Sequence, residues 1–302
     1  MTATATATRT PTWINVGTDI RKATSVEEAL HISGLDYTVE KVPVYLEGGI
    51  EIPGAFCTKR EGSDTTYGVV GSQFEIVQNS EGFDFVNNMV SEGLKFLKAG
   101  ENGKFVYIIA ELPSIDLLGD KVTPHVIFQN SHSGNTTLKA TIAPLRIICQ
   151  NQFNMTFRKA SNKISLRHTK SIKGRMHTAQ EVLIGSSEYL TELQKQAALM
   201  ASRKVSQKQV AGLVDSLFEV KPEFNPSQLR RIEEKRDRFL AAYNTEDNQN
   251  FIGTQWGLVN AYTDFVTHKP LTKETQQAQE NYFIKATLKG SIDEVVDRIA
   301  AL

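Results

Sequence analysis

Residues 104–112 read KFVYIIAEL, a run of β-branched, aromatic and other apolar residues that predicts a β-strand. Two further runs of this character follow, VTPHVIFQ at residues 122–129 and TTLKATIAPLRIIC at residues 136–149. The polar segment 130–135 (NSHSGN) separates them and predicts a turn. Pro144 has no amide hydrogen, so an edge, a bulge or a bend is expected there. The three runs predict an antiparallel sheet in the middle of the chain.

Shorter β-like runs precede these strands, and glycine- and proline-containing turns separate them. The runs lie at residues 42–47, 55–59 and 67–70. Their spacing predicts a meander of hairpins. Two helices are also expected in this half of the chain. Thr24 or Ser25 caps the first, which Gly34 ends, and Ser80 caps the second, which runs to about Gly93.

The β character fades after Asn154, and helical periodicity begins at Gly174. Helices are predicted at residues 174–202, 206–218, 226–243, 254–268, 273–288 and 291–300. The sequence therefore predicts an α+β fold, in which an N-terminal antiparallel β-meander sheet with a packed helix precedes a C-terminal helical domain. The predicted divisions are a disordered tail (1–20), a β-rich α+β domain (21–157) and a helical domain with a basic entry segment (158–302).

Composition places the chain among intracellular globular proteins. Its 302 residues are 40% hydrophobic, which is enough for one large or two modest cores. Cys57 and Cys149 are its two cysteines, too few for a secreted disulfide framework. No apolar run has the length of a membrane span, and the Thr-Ala tract at residues 1–10 lacks the apolar core of a signal peptide. We expect a cytoplasmic protein that does not contact the membrane.

Charge is distributed unevenly along the sequence. The chain carries 34 basic and 34 acidic residues, so its formal net charge is zero. Residues 121–180, however, contain ten Lys or Arg, four of the six His, and no Asp or Glu. This asymmetry suggests an anion-binding face on an acidic body, or equally a basic surface that pairs with acidic helices of the same molecule.

Complete catalytic, cofactor and metal motifs are missing from the sequence. The segment 100–104 lacks the spacing of a phosphate-binding loop, and a strand rather than a helix follows it. Cys149 with His168 is only a formal nucleophile–base pair, because Cys149 ends an apolar strand. The acid-free stretch contains His125, His132, His168 and His177. No two of these four have the spacing of a zinc site on a helix. We expect no enzyme activity, no cofactor and no metal.

Polyanion binding is the function that the acid-free stretch favours. Hydroxyl residues that can donate to phosphate oxygens alternate with its basic residues, and Gly174 opens a helix whose N-terminus favours anions. Such a groove gives salt-dependent binding that tolerates many sequences. The candidate nucleic-acid-binding residues are Arg146, Arg158, Lys159, Lys163, Arg167, His168, Lys170, Lys173 and Arg175.

The polar residues around Ile147 and Ile148 have two interpretations. Arg146 is expected to contact a phosphate or a base edge. Gln150 and Asn151 are instead expected to form a buried hydrogen-bond network that fixes the corner between strand and helix.

Five runs of the sequence carry a family resemblance. They are FEIVQNSEGF at 74–83, NSHSG at 130–134, LRIICQN at 145–151, RHT at 167–169, and GTQWG at 253–257 with Asn260 and Ala261. In this order, over roughly residues 25–270, they resemble the phage/plasmid-like proteins of the domain-of-unknown-function family 932. The sequence departs from the family's pattern in two places: Ser133 stands where an acid is common, and Gln152-Phe153 replace a more usual Thr-Leu.

The resemblance implies a setting in phages, prophages and plasmids, often near replication or recombination genes. A β-meander with a basic groove is also similar to single-strand annealing proteins, which form rings on DNA. We expect a homo-oligomeric DNA-binding protein that prefers single strands and serves annealing or recombination. The alternative is a protein-interaction module whose basic face binds or inhibits an acidic host protein.

Overall fold

The computed structural model describes residues 16–103, 105–146, 163–267, 275 and 292–302. Strands fill the N-terminal half and helices the C-terminal half, which confirms the α+β class. The strands are β1 (Thr18–Asp19), β2 (Val39–Tyr45), β3 (Glu51–Arg60), β4 (Thr66–Gly71), β5 (Lys95–Glu101), β6 (Val106–Glu111), β7 (Ile115–Leu117), β8 (Asp120–Asn130), β9 (Leu138–Arg146) and β10 (Lys163–Leu166). The helices are α1 (Val26–Ser33), α2 (Asn79–Phe83), α3 (Val86–Val90), α4 (Ile172–Ser202), α5 (Gln207–Leu217), α6 (Pro226–Tyr243), α7 (Gln255–Thr267) and α8 (Asp293–Ala300).

The predicted central strands form the middle of the larger sheet. Its order is β1-β5-β6-β8-β9-β10, with β7 also paired to β8, and the described pairs are antiparallel. Both faces of β6 and β8 are covered, and residues 106–110 and 122–130 are buried without interruption. Ile108 and Phe128 lie on the face that packs against α1, α2 and α3, whereas Tyr107 and Ile127 belong to a second cluster.

Two prolines face each other across the β8–β9 pair. Pro124 is the register partner of Pro144, and β10 pairs with β9 only as far as Thr141. The amide of Leu112 donates to the carbonyl of Pro124 at 2.8 Å, which shows that the backbone of Pro124 is directed away from β9. Neither proline therefore removes a hydrogen bond from the pair that they share. The position that would lie beside Pro144 on the β10 side falls outside the described residues, so the edge, bulge or bend expected there stays a prediction.

Helix α1 has the caps that the sequence predicts. The Ser25 hydroxyl accepts from the amide of Glu28, and the Glu28 carboxylate accepts from Thr24. Gly34 ends the helix at φ 68°, a left-handed conformation that glycine adopts without steric cost.

The single helix predicted from Ser80 to Gly93 is wrong, because α2 and α3 are separate short helices. Phe83 and Phe85 are both buried, although two residues along one straight helix point about 200° apart. Phe85 packs edge-on against Phe128 of β8, with ring centroids 5.5 Å apart. The break between α2 and α3 thus lies where Phe85 packs against the sheet, and helical periodicity did not predict it.

Helix α4 connects the core of the sheet with that of the C-terminal helices. Tyr189 and Leu190 pack in the cluster that includes α1 and the sheet. Leu193 and the residues after it pack with α5, α6, α7 and α8, in a cluster that also contains Val122 of β8. Apolar contacts thus cross the predicted division at residue 158, and β10 adds a strand from the C-terminal side of that division.

The C-terminal helices largely begin where the sequence predicts. Ser206 and Asn225 form capping boxes with Gln209 and Gln228, and Pro226 occupies the first turn of α6. The predicted helix at 273–288 and Ser291 lie outside the described residues. Within the part of the chain that the structure describes, no helix is both long and apolar enough to cross a bilayer.

A smaller sheet, β2-β3-β4, packs over one end of the larger one. The hydroxyl of Thr58 donates to the carbonyl of His132, in the turn between β8 and β9, at 2.6 Å. A Cβ on Gly68 would lie only 2.8 Å from the carbonyl oxygen of Ser133. The small sheet therefore covers the β8–β9 turn at backbone contact distance.

Two helical glycines provide a matched test of this packing. A Cβ on Gly257 of α7 would lie 2.1 Å from the carbonyl oxygen of Phe251, whereas a Cβ on Gly212 of α5 would meet nothing within 4 Å. Gly257→Ala should lower the free energy of unfolding by at least about 2 kcal/mol, because backbone must move. Gly212→Ala should raise it by about 0.5–1 kcal/mol through helix propensity. Urea unfolding measures both, and equal effects would contradict the packing described for α7.

Candidate functional site: a polar cluster beside the basic segment

The basic stretch continues the larger sheet at β10. Lys163 is the register partner of Thr141, and Ser165 is that of Lys139. Directly opposed residues of an antiparallel pair lie on the same face, so Lys139 and Ser165 share one face of the sheet. Ser165 bonds Thr137 through their hydroxyls on that face. Three positions with basic or hydroxyl chemistry thus lie side by side.

Arg167 and Lys170 are exposed, whereas His168 between them is buried. The His168 ring stacks on Phe74 with centroids 5.1 Å apart, and its Nδ1 lies 3.2 Å from the carbonyl oxygen of Glu75. The amide of Glu75 donates to the carbonyl of His168, and Phe74 and Thr169 form a β-bridge. His168, grouped with the phosphate-binding residues on sequence, instead anchors this segment, because its ring is enclosed.

The other predicted site residues lie at the ends of elements or outside the described residues. Arg146 is the last residue of β9, and Lys173 and Arg175 occupy the start of α4. Arg158 and Lys159 lie outside the described residues, as do Gln150 and Asn151. The described candidates therefore lie along β10, the segment after it, the start of α4 and the end of β9.

The β8–β9 turn is polar and buried. Asn130, Ser131, His132 and Ser133 are each no more than 5% exposed. The Ser131 and Ser133 hydroxyls bond each other, and the Asn130 side-chain oxygen accepts from the amide of Ser131. A turn with this composition is usually solvated, so its burial needs internal hydrogen-bond partners.

Asn79, the first residue of α2, supplies those partners. Its Oδ1 accepts from Asn130 Nδ2 at 3.1 Å and from His132 Nε2 at 3.0 Å. Its Nδ2 donates to the carbonyl of Leu35 at 2.9 Å, and Asn130 Nδ2 also donates to the carbonyl of Val77. We call Asn79, Asn130, His132 and His168 the polar cluster.

Two tyrosines line one side of the polar cluster. The Tyr67 ring lies 5.3 Å from that of His132, Tyr37 stacks on Tyr67 at 6.1 Å, and the Arg60 guanidinium covers Tyr37 at 4.2 Å. Burial raises the pKa of both tyrosines, so both hydroxyls stay protonated at neutral pH.

Two buried imidazole nitrogens in this region, His132 Nδ1 and His168 Nε2, have no hydrogen-bond partner among the described residues. Asn79 Oδ1 and the Glu75 carbonyl can only accept, so His132 must carry its proton on Nε2 and His168 on Nδ1. The opposite nitrogens are therefore unprotonated acceptors.

Burial keeps both imidazoles neutral. It lowers the pKa of His132 to about 4, with a further contribution from His168, and it lowers the pKa of His168. Neutral imidazoles can accept a hydrogen bond from a buried water or a ligand donor. In the described segments, no group of three or more His, Cys, Asp or Glu could hold a metal ion.

Two histidines of the acid-free stretch, His132 and His168, interact, since His168 contributes to the lowered pKa of His132. His125 lies on β8, where its Nδ1 is 2.9 Å from the Thr123 carbonyl oxygen, and His177 lies on α4. Asn79 and the tyrosine pair were not predicted, because nothing local in the sequence indicates that they meet the turn at 130–135.

Three of the runs that carry the family resemblance meet at the polar cluster. Asn79 comes from the run at 74–83, Asn130 and His132 from the run at 130–134, and His168 from the run at 167–169. The fourth described run, 253–257, lies apart and packs against the 3₁₀ helix Glu246–Phe251. Residues that are far apart in the sequence are thus brought together in the fold.

Fold and site define an antiparallel α+β protein in which a buried polar turn joins two sheets beside a basic segment. The chain belongs to the family described as Domain of unknown function (DUF932), whose sequence profile matches residues 66–288. No curated protein and no solved structure matches the chain. The polar cluster, β10 and α4 all lie within the matched range.

Asn79→Ala should lower the free energy of unfolding by about 2–4 kcal/mol, because the buried donors of Asn130 and His132 and the Leu35 carbonyl would lose their shared partner. Asn88→Ala is the matched control, since Asn88 is exposed in α3. It should change stability by less than about 0.5 kcal/mol. Chemical denaturation compares the two variants, and similar losses would show that Asn79 is not a central hydrogen-bonding residue.

Stability should also fall as the pH is lowered. The folded-state pKa of His132 and of His125 is about 4, below the usual 6.5, so the unfolded chain binds protons more readily. The stability that these neutral histidines allow is fully present above pH 6.5. As the pH falls from 6.5 towards 4, protonation of the unfolded chain lowers the free energy of unfolding by about 3 kcal/mol for each histidine.

His132→Gln should be less stable at pH 7 but lose less stability than the wild type between pH 6.5 and 4. Urea unfolding at half-unit pH intervals gives both slopes. Parallel slopes for the variant and the wild type would contradict the burial of a neutral His132.

Proposed function

We propose that the protein is a non-enzymatic, mobile-element DNA-binding protein that prefers single strands and serves annealing or recombination. The observation that carries the proposal is the exposure of Arg167 and Lys170 on either side of the buried His168. Both cations project from a segment whose backbone is fixed to residues 74 and 75. A fixed cation loses less side-chain and loop entropy when it binds a phosphate.

The surroundings of these two residues favour an extended anion. Lys139 and Lys163 belong to the adjoining strands β9 and β10, and Lys173 and Arg175 follow in the first turns of α4. The first turn of α4 contains no acidic residue, so its N-terminal dipole is not offset by a local carboxylate. A phosphate backbone, which repeats its charge at regular intervals, suits such a row better than a single small anion.

Single-strand preference is the part of the proposal that distinguishes annealing from general DNA binding. Fluorescence anisotropy with a labelled 30-nucleotide single strand, at 50 and 200 mM salt, should show binding that weakens with salt. Competition with unlabelled single and double strands of the same sequence should favour the single strand. Binding that is indifferent to salt, or stronger competition by the duplex, would contradict the proposal.

Charge reversal tests the site. Arg167→Glu/Lys170→Glu should weaken binding more than tenfold and reduce the slope of log affinity against log salt by about 1.4, the value for two lost phosphate contacts on a single strand. Lys22→Glu/Lys221→Glu is the control, because both lysines are exposed and lie outside the acid-free stretch. It makes the same change in net charge. An equal loss in both double variants would place the binding site elsewhere.

The protein-interaction alternative predicts a different outcome. A host protein that binds the basic face directly should co-purify with the wild type after nuclease treatment and be lost with the Arg167/Lys170 double variant. DNA-mediated co-purification should instead disappear when nuclease is added. The two results separate the functions without knowledge of the partner.

A further inference from the structure

The hairpin of β2 and β3 extends beyond the small sheet. Strand β4 pairs with β3 only between Ala55 and Lys59, whereas β2 and β3 continue to the pair Tyr45–Glu51. The distal end, residues 43–53, therefore has no third strand among the described residues. Two-stranded hairpins are only marginally stable on their own, so this projection is a place where a packing partner adds stability.

Three large apolar side chains are exposed at the end of this hairpin. Tyr45 is 55% exposed, Leu46 is 55% exposed and Ile50 is 64% exposed. We call these three residues the apolar tip. Gly48 and Gly49 form the turn between them with φ of 90° and 81°. Apolar residues clustered on a projection, rather than scattered singly, are typical of an interaction surface.

An apolar cleft lies elsewhere on the same chain, between α5 and α6. It has a volume of about 530 Å³, and its apolar lining includes Val205, Val210, Ala211, Val214, Leu240 and Ile252. Leu240 and Ile252 are each more than a third exposed at this cleft. Clefts of roughly 300–1,000 Å³ enclose drug-sized ligands, so this one can receive two or three side chains.

The charges beside the tip and the cleft are opposite in sign. Residues 42–58 contain Glu47 and Glu51, both exposed, and no Lys or Arg. Three exposed cations, Arg203, Lys204 and Lys208, are near neighbours in the chain of the lining residues Val205 and Gln207. Asp215 also lines the cleft, but Arg236 pairs with it at 2.9 Å. An acidic apolar projection thus complements a cleft with a basic rim.

We propose that the apolar tip of one copy of this chain inserts into the α5–α6 cleft of a second copy. Each copy then offers one tip and one cleft, which is a heterologous contact. Such contacts repeat from copy to copy and close into a ring or continue as a filament. Glu47 and Glu51 approach the basic rim of the neighbouring copy. This assembly does not depend on nucleic acid.

Three variants, freed of nucleic acid by nuclease, test the contact by light scattering during gel filtration. Tyr45→Ser/Leu46→Ser/Ile50→Ser removes the tip, and Ala211→Glu places a charge in the cleft on a helix position that is already exposed. The control, Ile32→Ser/Leu199→Ser/Val220→Ser, removes three exposed apolar residues outside both surfaces. The wild type and the control should be oligomeric, and the tip and cleft variants monomeric.

Mixing the tip variant with the cleft variant is the decisive measurement. The tip variant keeps an intact cleft and the cleft variant keeps an intact tip, so an equimolar mixture should form a dimer that cannot extend. A monomeric wild type at 100 µM protein, unchanged oligomers in both variants, or a mixture that stays monomeric would each overturn the proposal. Circular dichroism shows that each variant is folded before its mass is interpreted.

Discussion

The hydrogen bonds of the Asn79 side-chain amide are the interaction on which the rest of the structure depends. The amide joins the end of the α1 region, the start of α2 and the β8–β9 turn through three hydrogen bonds. Each of its partners is buried, so no water is at hand to replace a lost bond. A charged residue would incur a large desolvation cost there, and an apolar one would leave the partners unpaired. The amide is thus one of few groups with both the donor and the acceptors that this position requires.

Burial of the turn fixes the relation between the two sheets. The small sheet approaches residues 132–134 so closely that Gly68 and Gly134 have no room for a Cβ, the latter because of Val70. The carbonyl of His132 accepts a hydrogen bond from Thr58 of the small sheet, and its ring donates to Asn79 of the polar cluster. His132 therefore joins the small sheet to the polar cluster. Backbone contact of this kind tolerates little displacement. The small sheet and its projecting hairpin are therefore held in a defined direction.

Local chemistry is the part of the fold that could be predicted from the sequence. Ser25, Ser206 and Asn225 cap their helices with partners three residues away, so a single window contains the whole signal. Phe85 and His168 are different, because their neighbours Phe128 and Phe74 lie far away in the chain. Periodicity could not predict the break between α2 and α3, and charge could not predict that one basic residue of the acid-free stretch is enclosed.

The enclosed histidine connects the polar cluster to the basic surface. Arg167 and Lys170 flank His168, and a charged imidazole between them would add a third cation inside a site that already disfavours charge. The neutral ring instead stacks on Phe74 and donates to the backbone carbonyl of Glu75. It therefore fixes the position of the segment without adding a charge to it. Phosphate binding needs exposed cations, and it costs less entropy when their backbone is already fixed. A buried neutral residue between two exposed cations favours both, and it makes the polar cluster the support of the proposed DNA-binding segment rather than its contact surface.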